Sequence, residues 1–406
     1  MNSKGRGLRA IILTGALALG LALASLALWG ASAAPQTGTA ASIYCVNGTG
    51  TACDASLDGC FATIQPAIDA ASSGDQLLIA GGIYTEPGGT VVAIGGKGLN
   101  IDGGYNPSCS QHDPDQYQTV LDGQALGTVV SVTNTGADLF MRWLTIQNGD
   151  GRGNCGIGGC GGGIYVLNSD FRLGHSIVRQ NTGASPPSVV GDGGGIYIYN
   201  FYQPGHFVHI FDNQILSNTC SNLPSPGAQV GGGLNIYGSE ILLNDNLFQG
   251  NLCIGHGDAG GAYLYDFATA DLQNNQFLDN RAQRAAGGLM TLGGVISLSH
   301  NTFQNNHAGT PSSSGSGSAM WMVIPQGTAD GNTFLNNTGG DAVRIRTSHG
   351  LTLTNNLIAA NDAGLIIVGV DPADLTLLAN NTIADNGGSL GISLYYTATA
   401  ELVNNI

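Results

Sequence analysis

From about residue 160 onward, polar and apolar positions alternate in short runs, and two phrases take turns along the chain. One opens on glycines and continues as a period-2 run: GGGIYV from Gly161, GGGIYIY from Gly193, GGGLNIY from Gly231 and GGAYLY from Gly260. The other is Asn, any residue, Ile or Phe, any two residues, Asn. It reads NQILSN from Asn213, NLFQGN from Asn246, NQFLDN from Asn275, NTFQNN from Asn301, NTFLNN from Asn332, NLIAAN from Asn356 and NTIADN from Asn381. The spacing between these copies runs from 24 to 33 residues. Alternation over four to six residues predicts strands rather than helices, and repetition on this length scale predicts the stacked coils of a solenoid.

A single coil of this kind has too little interior to hide its apolar side. Stacked on its neighbours, it completes a continuous core and pairs its backbone with the coils on either side. Equivalent strands then lie parallel, about 4.8 Å apart, which is a parallel β-helix. Stacking assigns a place to each recurring residue. Ile215, Phe248, Phe277, Phe303, Phe334, Ile358 and Ile383 form one inward column, and Asn213, Asn246, Asn275, Asn301, Asn332, Asn356 and Asn381 form an Asn ladder at a bend. An amide can bond the next coil and the turn backbone at once. The glycines supply positive φ, or room where a loop enters a strand.

Upstream the pattern changes. In ATIQPAIDAA, residues 62–71, the apolar Ile64, Ala67, Ile68 and Ala71 fall on one helical face, predicting an amphipathic helix that covers the first coil. Strands are predicted at 76–80, 91–94, 128–132 and 139–146. The domain plan is therefore a leader at 1–34, an N-terminal segment with the capping helix at 35–75, and coils over 76–406, open or truncated at the C-terminal end.

The leader rests on composition. Lys4, Arg6 and Arg9 precede the apolar run 10–29, and Ala31-Ser32-Ala33 suits a signal peptidase. Export is predicted, to the cell surface or medium, with no membrane contact after cleavage. Cleavage takes three basic residues and no acid from a net charge of −15, leaving −18. So acidic a chain excludes nucleic acid as a partner. Eight cysteines, an even number, predict disulfides in an exported chain. Cys220 and Cys253 stand at the same place in consecutive coils and are predicted to pair. Cys155 and Cys160 flank a glycine loop and suit a local bridge, and Cys45, Cys53, Cys60 and Cys109 pair among themselves with connectivity open.

FATIQPAIDAASSGDQLLIAGGIYTE, from Phe61 to Glu86, followed by the Asn-x-Phe coils, resembles the right-handed parallel β-helix proteins of the pectin-lyase-like superfamily. GGYNPSCSQHDPDQYQTVLDG, from Gly103, with the glycine coils, is similar to bacterial surface β-helix proteins that carry a variable C-terminal anchor. The resemblance implies an all-β right-handed solenoid; its members range from polysaccharide-degrading enzymes to non-enzymatic surface proteins, so a structural or carbohydrate-binding role is expected, with a polysaccharide lyase or glycoside hydrolase acting on acidic polysaccharide as the alternative. Polygalacturonases of this fold carry NTD, DD, GHG and RIK motifs. Here Gly255-His256-Gly257 and Arg344-Ile345-Arg346 are present, but NTD and DD are not, so the paired carboxylates of hydrolysis are missing.

Candidate sites follow from alternation along the glycine-phrase strand. One outward column is Tyr165, Tyr197, Asn235, Tyr263, Met290, Trp321 and Arg344; the next is Leu167, Tyr199, Tyr237, Tyr265, Leu292, Val323 and Arg346. Tyr197, Tyr199, Tyr237, Tyr263, Tyr265 and Trp321 would make a platform for sugar rings, unless the loops 184–191 and 221–230 fold over them. Beside Trp321, Arg344 and Arg346 suit a uronate carboxylate. With Asp341 and His349 they are the weak catalytic candidates of a polysaccharide lyase, against the competing expectation that Asp341 merely pairs with Arg344. No cofactor is expected, except Ca2+ if the chain is a lyase, and no outward column offers the acids such an ion needs.

Overall fold

The structure is a computed structural model that describes residues 41–152, 161–183, 192–200, 205–221, 230–255, 257–310, 313–369, 375–388 and 391–406. The leader and the Cys155–Cys160 pair lie outside them. The unit Ser42–Ile406 is a parallel β-helix. Among the described residues, three long parallel sheets contain 14, 11 and 11 strands, and a small fourth sheet has four. One coil shows the plan: Glu240–Asn244 lies in the first sheet, Leu247–Gln249 in the second, Leu252–Cys253 in the small sheet and Ala262–Tyr265 in the third.

The repeated phrases superimpose as their spacing predicts. Ile215 pairs with Phe248, Phe248 with Phe277, Phe277 with Phe303, Phe303 with Phe334, and on to Ile358 and Ile383. The four Phe rings stack at centroid distances of 4.7, 4.7 and 4.9 Å, within 8° of parallel. That distance is the coil spacing itself, so one aromatic per coil fills the interior without a gap.

Beside this column, Asn213 Nδ2 donates to Asn246 Oδ1 at 3.1 Å, and Asn246 Nδ2 to Asn275 Oδ1 at 3.0 Å. Each amide also donates to a main-chain carbonyl, as Asn246 does to Ile210 at 2.7 Å, while its oxygen accepts the backbone N–H of the preceding ladder residue. The closing Asn of each phrase forms a second ladder of the same kind through Asn181, Asn218, Asn251, Asn280, Asn306, Asn337 and Asn361. The two ladders satisfy buried turn backbone on both sides of the aromatic column.

The predicted helix is present at Ile64–Ala70, with Ile64, Ala67 and Ile68 buried in the main core. Pro66 sits in its first turn, where no N–H is needed, and Lys97 Nζ donates to the Ala71 carbonyl at 2.7 Å beyond its end. The first sheet already contains Ile43–Val46, which pairs with Gln76–Ala80. The strand expected at 139–146 is two strands, Leu139–Arg142 in the first sheet and Leu144–Gln147 in the second. Trp143 separates them with φ of +60°, so the chain turns a corner where apolar continuity had suggested one straight run.

Disulfides join Cys220 to Cys253, Cys45 to Cys109 and Cys53 to Cys60, with no free cysteine among the described residues. The first of these links consecutive coils with Cα atoms 5.1 Å apart, close to the distance that stacking alone provides.

Candidate functional site

The glycine phrases enter the third sheet through backbone packed too tightly for a side chain. A Cβ on Gly194 would stand 2.3 Å from the Thr219 carbonyl oxygen and 2.5 Å from that of Gly232. The strands that follow keep strict register from Tyr165–Tyr197 through Asn235, Tyr263, Met290, Trp321 and Arg344, and likewise from Leu167 to Arg346. Both outward columns are therefore real, but they are not equally open.

Tyr197 and Tyr263 are buried, 2% and 7% exposed, as are Tyr165, Asn235 and Met290. Val230, Ala259 and Ala286, from the segments that lead into the strands, pack with Tyr263 and Met290 into an outer apolar cluster. Tyr197 and Tyr263 are thus corrected from platform residues to the floor of a covered layer, where burial raises both phenols well above the ordinary tyrosine pKa. Tyr199, Tyr237, Tyr265 and Trp321 remain half-buried along its edge, with Tyr237 and Tyr265 rings 4.9 Å apart.

The cover ends at Trp321. Beyond it, a groove of about 750 Å³ opens along the third sheet, walled by Trp321, Arg344, Arg346, Tyr395 and Tyr396 over a floor of Ile366 and Val368. Arg344 is held by Asp341 through a bidentate pair at 2.7 and 3.1 Å. Asp341 is 4% exposed and also accepts the Gly317 N–H, so the pair is part of the wall. Arg346, two residues on, is exposed and makes no ion pair among the described residues. His349 does not line the groove; its backbone N–H donates to the Pro325 carbonyl at 2.9 Å. The four charged candidates therefore separate into a neutralised pair, one open cation and one turn residue.

The carboxylates of the entering segments are also engaged. Asp258 binds Arg284 through both oxygens, and burial raises its pKa against the pull of that guanidinium. Asp192 is buried and accepts the Val230 N–H at 3.3 Å, and burial pushes its pKa up to about 7. Among the described residues no three His, Cys, Asp or Glu side chains converge as a metal site. His256 of the Gly255–Gly257 motif lies outside them.

Residues 211–406 match the family model described as NosD, periplasmic copper-binding protein. No curated protein and no solved structure showed a match. The side chains of the matched stretch do not fit copper among the described residues. Cys220 and Cys253 are joined to each other, Met320 and Met322 point into the core, and His300 and His307 stand at opposite ends of strand Thr302–Gln304. Copper sites draw on grouped imidazole, thiolate or thioether ligands, and here those groups are spent or dispersed. The match agrees with the β-helix, and the disulfides mark a chain that matures outside the reducing cytoplasm. It is an exported β-helix repeat protein. No helix among the described residues is long and apolar enough to cross a membrane.

Proposed function

We propose that this protein binds carboxylated polysaccharide in the groove between Trp321 and Tyr396. The observation that carries the reading is Arg346: an exposed guanidinium without an ion-pair partner among the described residues, set among aromatic rings in a chain of strongly negative net charge. A planar guanidinium meets a carboxylate with two parallel hydrogen bonds. The neighbouring rings offer flat apolar faces to the C–H side of a sugar. The strongly negative net charge disfavours an anionic polymer in general, so binding needs a local cation such as Arg346. Tyr199, Tyr237 and Tyr265 extend the same edge. The family description supports the periplasm as the compartment, where such a scaffold meets envelope or imported polysaccharide. Holding rather than cleaving is supported by Asp341 and Asp258, each already paired to an arginine.

Calorimetric titration with oligogalacturonate tests this. Arg346→Ala and Trp321→Ala each weaken binding at least tenfold, about 1.5–3 kcal/mol for loss of a charged hydrogen-bonding partner. Arg346→Lys recovers only part of it, and no unsaturated or reducing-end product accumulates. Undiminished affinity in Arg346→Ala rules the reading out, and product formation converts it to a lyase or hydrolase.

A further inference from the structure

We propose a second binding site, for a neutral sugar ring, at the corner between the first and second sheets around Trp143. From Trp143 onward the corner is built the same way in each coil, by one residue with left-handed backbone just past the first-sheet strand. Seven coils place Asp212, Asp245, Asn274, Gly331, Asn355, Asn380 and Asn404 there, with φ between +50° and +63°. Gly, Asn and Asp tolerate that conformation; large side chains do so at a cost. Trp143, at +60°, and His175, at +50°, occupy the same column. His300, at +56°, occupies it too, but no other coil places an indole there, and seven coils make the corner with Asp, Asn or Gly, so the bulk at Trp143 points to a task other than folding.

The ring is held for display. Trp143 stacks on His175 with centroids 4.2 Å apart and planes 7° from parallel. His112 meets Trp143 edge-on at 5.5 Å, and Phe211 meets His175 at 5.3 Å. His175 Nδ1 lies 3.6 Å from Asp212. The half-buried Trp143 and His175 line a cavity of about 280 Å³ whose polar rim is Asp115, Gln118, Asp212 and Gln214. All four rim residues are exposed, and the side chains of Asp115, Gln118 and Gln214 make no hydrogen bond or ion pair among the described residues.

Two carboxylates that accept and two amides that both donate and accept match the vicinal hydroxyls of a sugar. Asp115 and Asp212 turn uronates away, which separates this site from the Arg346 groove. The size suits a single ring or chain end, at the low end of small-ligand pockets. The inference does not depend on the groove reading.

Tryptophan fluorescence reads the two sites apart. In a chain carrying Trp29→Phe and Trp321→Phe, Trp143 is the sole reporter. Titration with cello-, xylo-, manno- and chito-oligosaccharides is expected to change its emission with at least one of them at millimolar concentration or below, and trigalacturonate is expected to leave it unchanged. With Trp321 retained, Trp143→Asn installs the residue that the corner uses elsewhere. It is expected to keep or raise the melting temperature while weakening binding at least tenfold by calorimetry, and Gln214→Ala weakens binding several-fold. The proposal is overturned if none of the neutral oligosaccharides moves Trp143 emission, if Trp143→Asn binds as the parent does, or if Trp143→Asn lowers the melting temperature by more than a few degrees, which would make the ring a structural prop.

Discussion

Phe277 lies on Phe303 with ring centroids 4.7 Å apart and planes 2° from parallel, and neither ring reaches solvent. Each is a floor for the coil above and a ceiling for the coil below. Phe277→Ala therefore opens a void facing two coils at once. The expected loss is about 3–5 kcal/mol, the usual range for a buried Phe→Ala, and Phe277→Leu loses less. Urea denaturation followed by far-ultraviolet circular dichroism measures it, and a loss under 1 kcal/mol contradicts the stacked core.

The Asn ladder makes a sharper chemical prediction. Asn275 accepts from Asn246 through its oxygen and donates to Asn301 and to the Leu243 carbonyl through its nitrogen. Asn275→Asp is nearly isosteric, yet it aims an acceptor at two acceptors and buries a charge. The expected cost exceeds that of Asn275→Ala, which only leaves partners unsatisfied at about 1–3 kcal/mol for each buried group. Thermal unfolding of the two variants at pH 8 ranks them, and an Asp variant as stable as the parent contradicts the ladder.

Asp192 links stability to pH in the direction opposite to an ion-paired acid. Its carboxyl is buried against an outer layer that contains Tyr197 and Tyr237, and its pKa is about 7. Below pH 4 it is neutral in both folded and unfolded chains. Between there and pH 7 the unfolded chain ionises first, so stability falls as pH rises and levels off above pH 7. Three pH units correspond to about 4 kcal/mol at most. Asn keeps the carbonyl that accepts the Val230 N–H, so Asp192→Asn is expected to remove this slope and to gain stability at pH 8. Denaturation midpoints of both proteins from pH 4.5 to 8.5 decide it; parallel curves contradict the assignment.

Much of this molecule is written in its one-dimensional pattern. The period of the Asn phrases and the alternation of the glycine phrases specify coils, registers and inward columns, because stacking forces each recurring residue onto its copy. The Cys220–Cys253 bridge follows from the same spacing. The helix at Ile64–Ala70 is legible because an amphipathic stripe has a period of its own.

What alternation cannot report is what lies over a face. Tyr197 and Tyr199 alternate with core residues in the same way, yet Val230, Ala259 and Ala286 help to form a covered layer over the inner column while the outer one stays half open. The pairing of Asp341 with Arg344, three residues apart on one strand, was legible in the sequence, but only the structure shows Arg346 left exposed beside it. At Trp143, an apolar residue in an apolar run hid a corner. Its signal was positional, a Trp in a column otherwise held mostly by Asn, Asp and Gly, and that column is visible only once the coils are aligned. Local pattern thus determined the coil, its core and its ladders, because those contacts repeat with the sequence. Exposure and the setting of the ring at Trp143 were decided by segments that do not repeat, and only the folded chain brings them together.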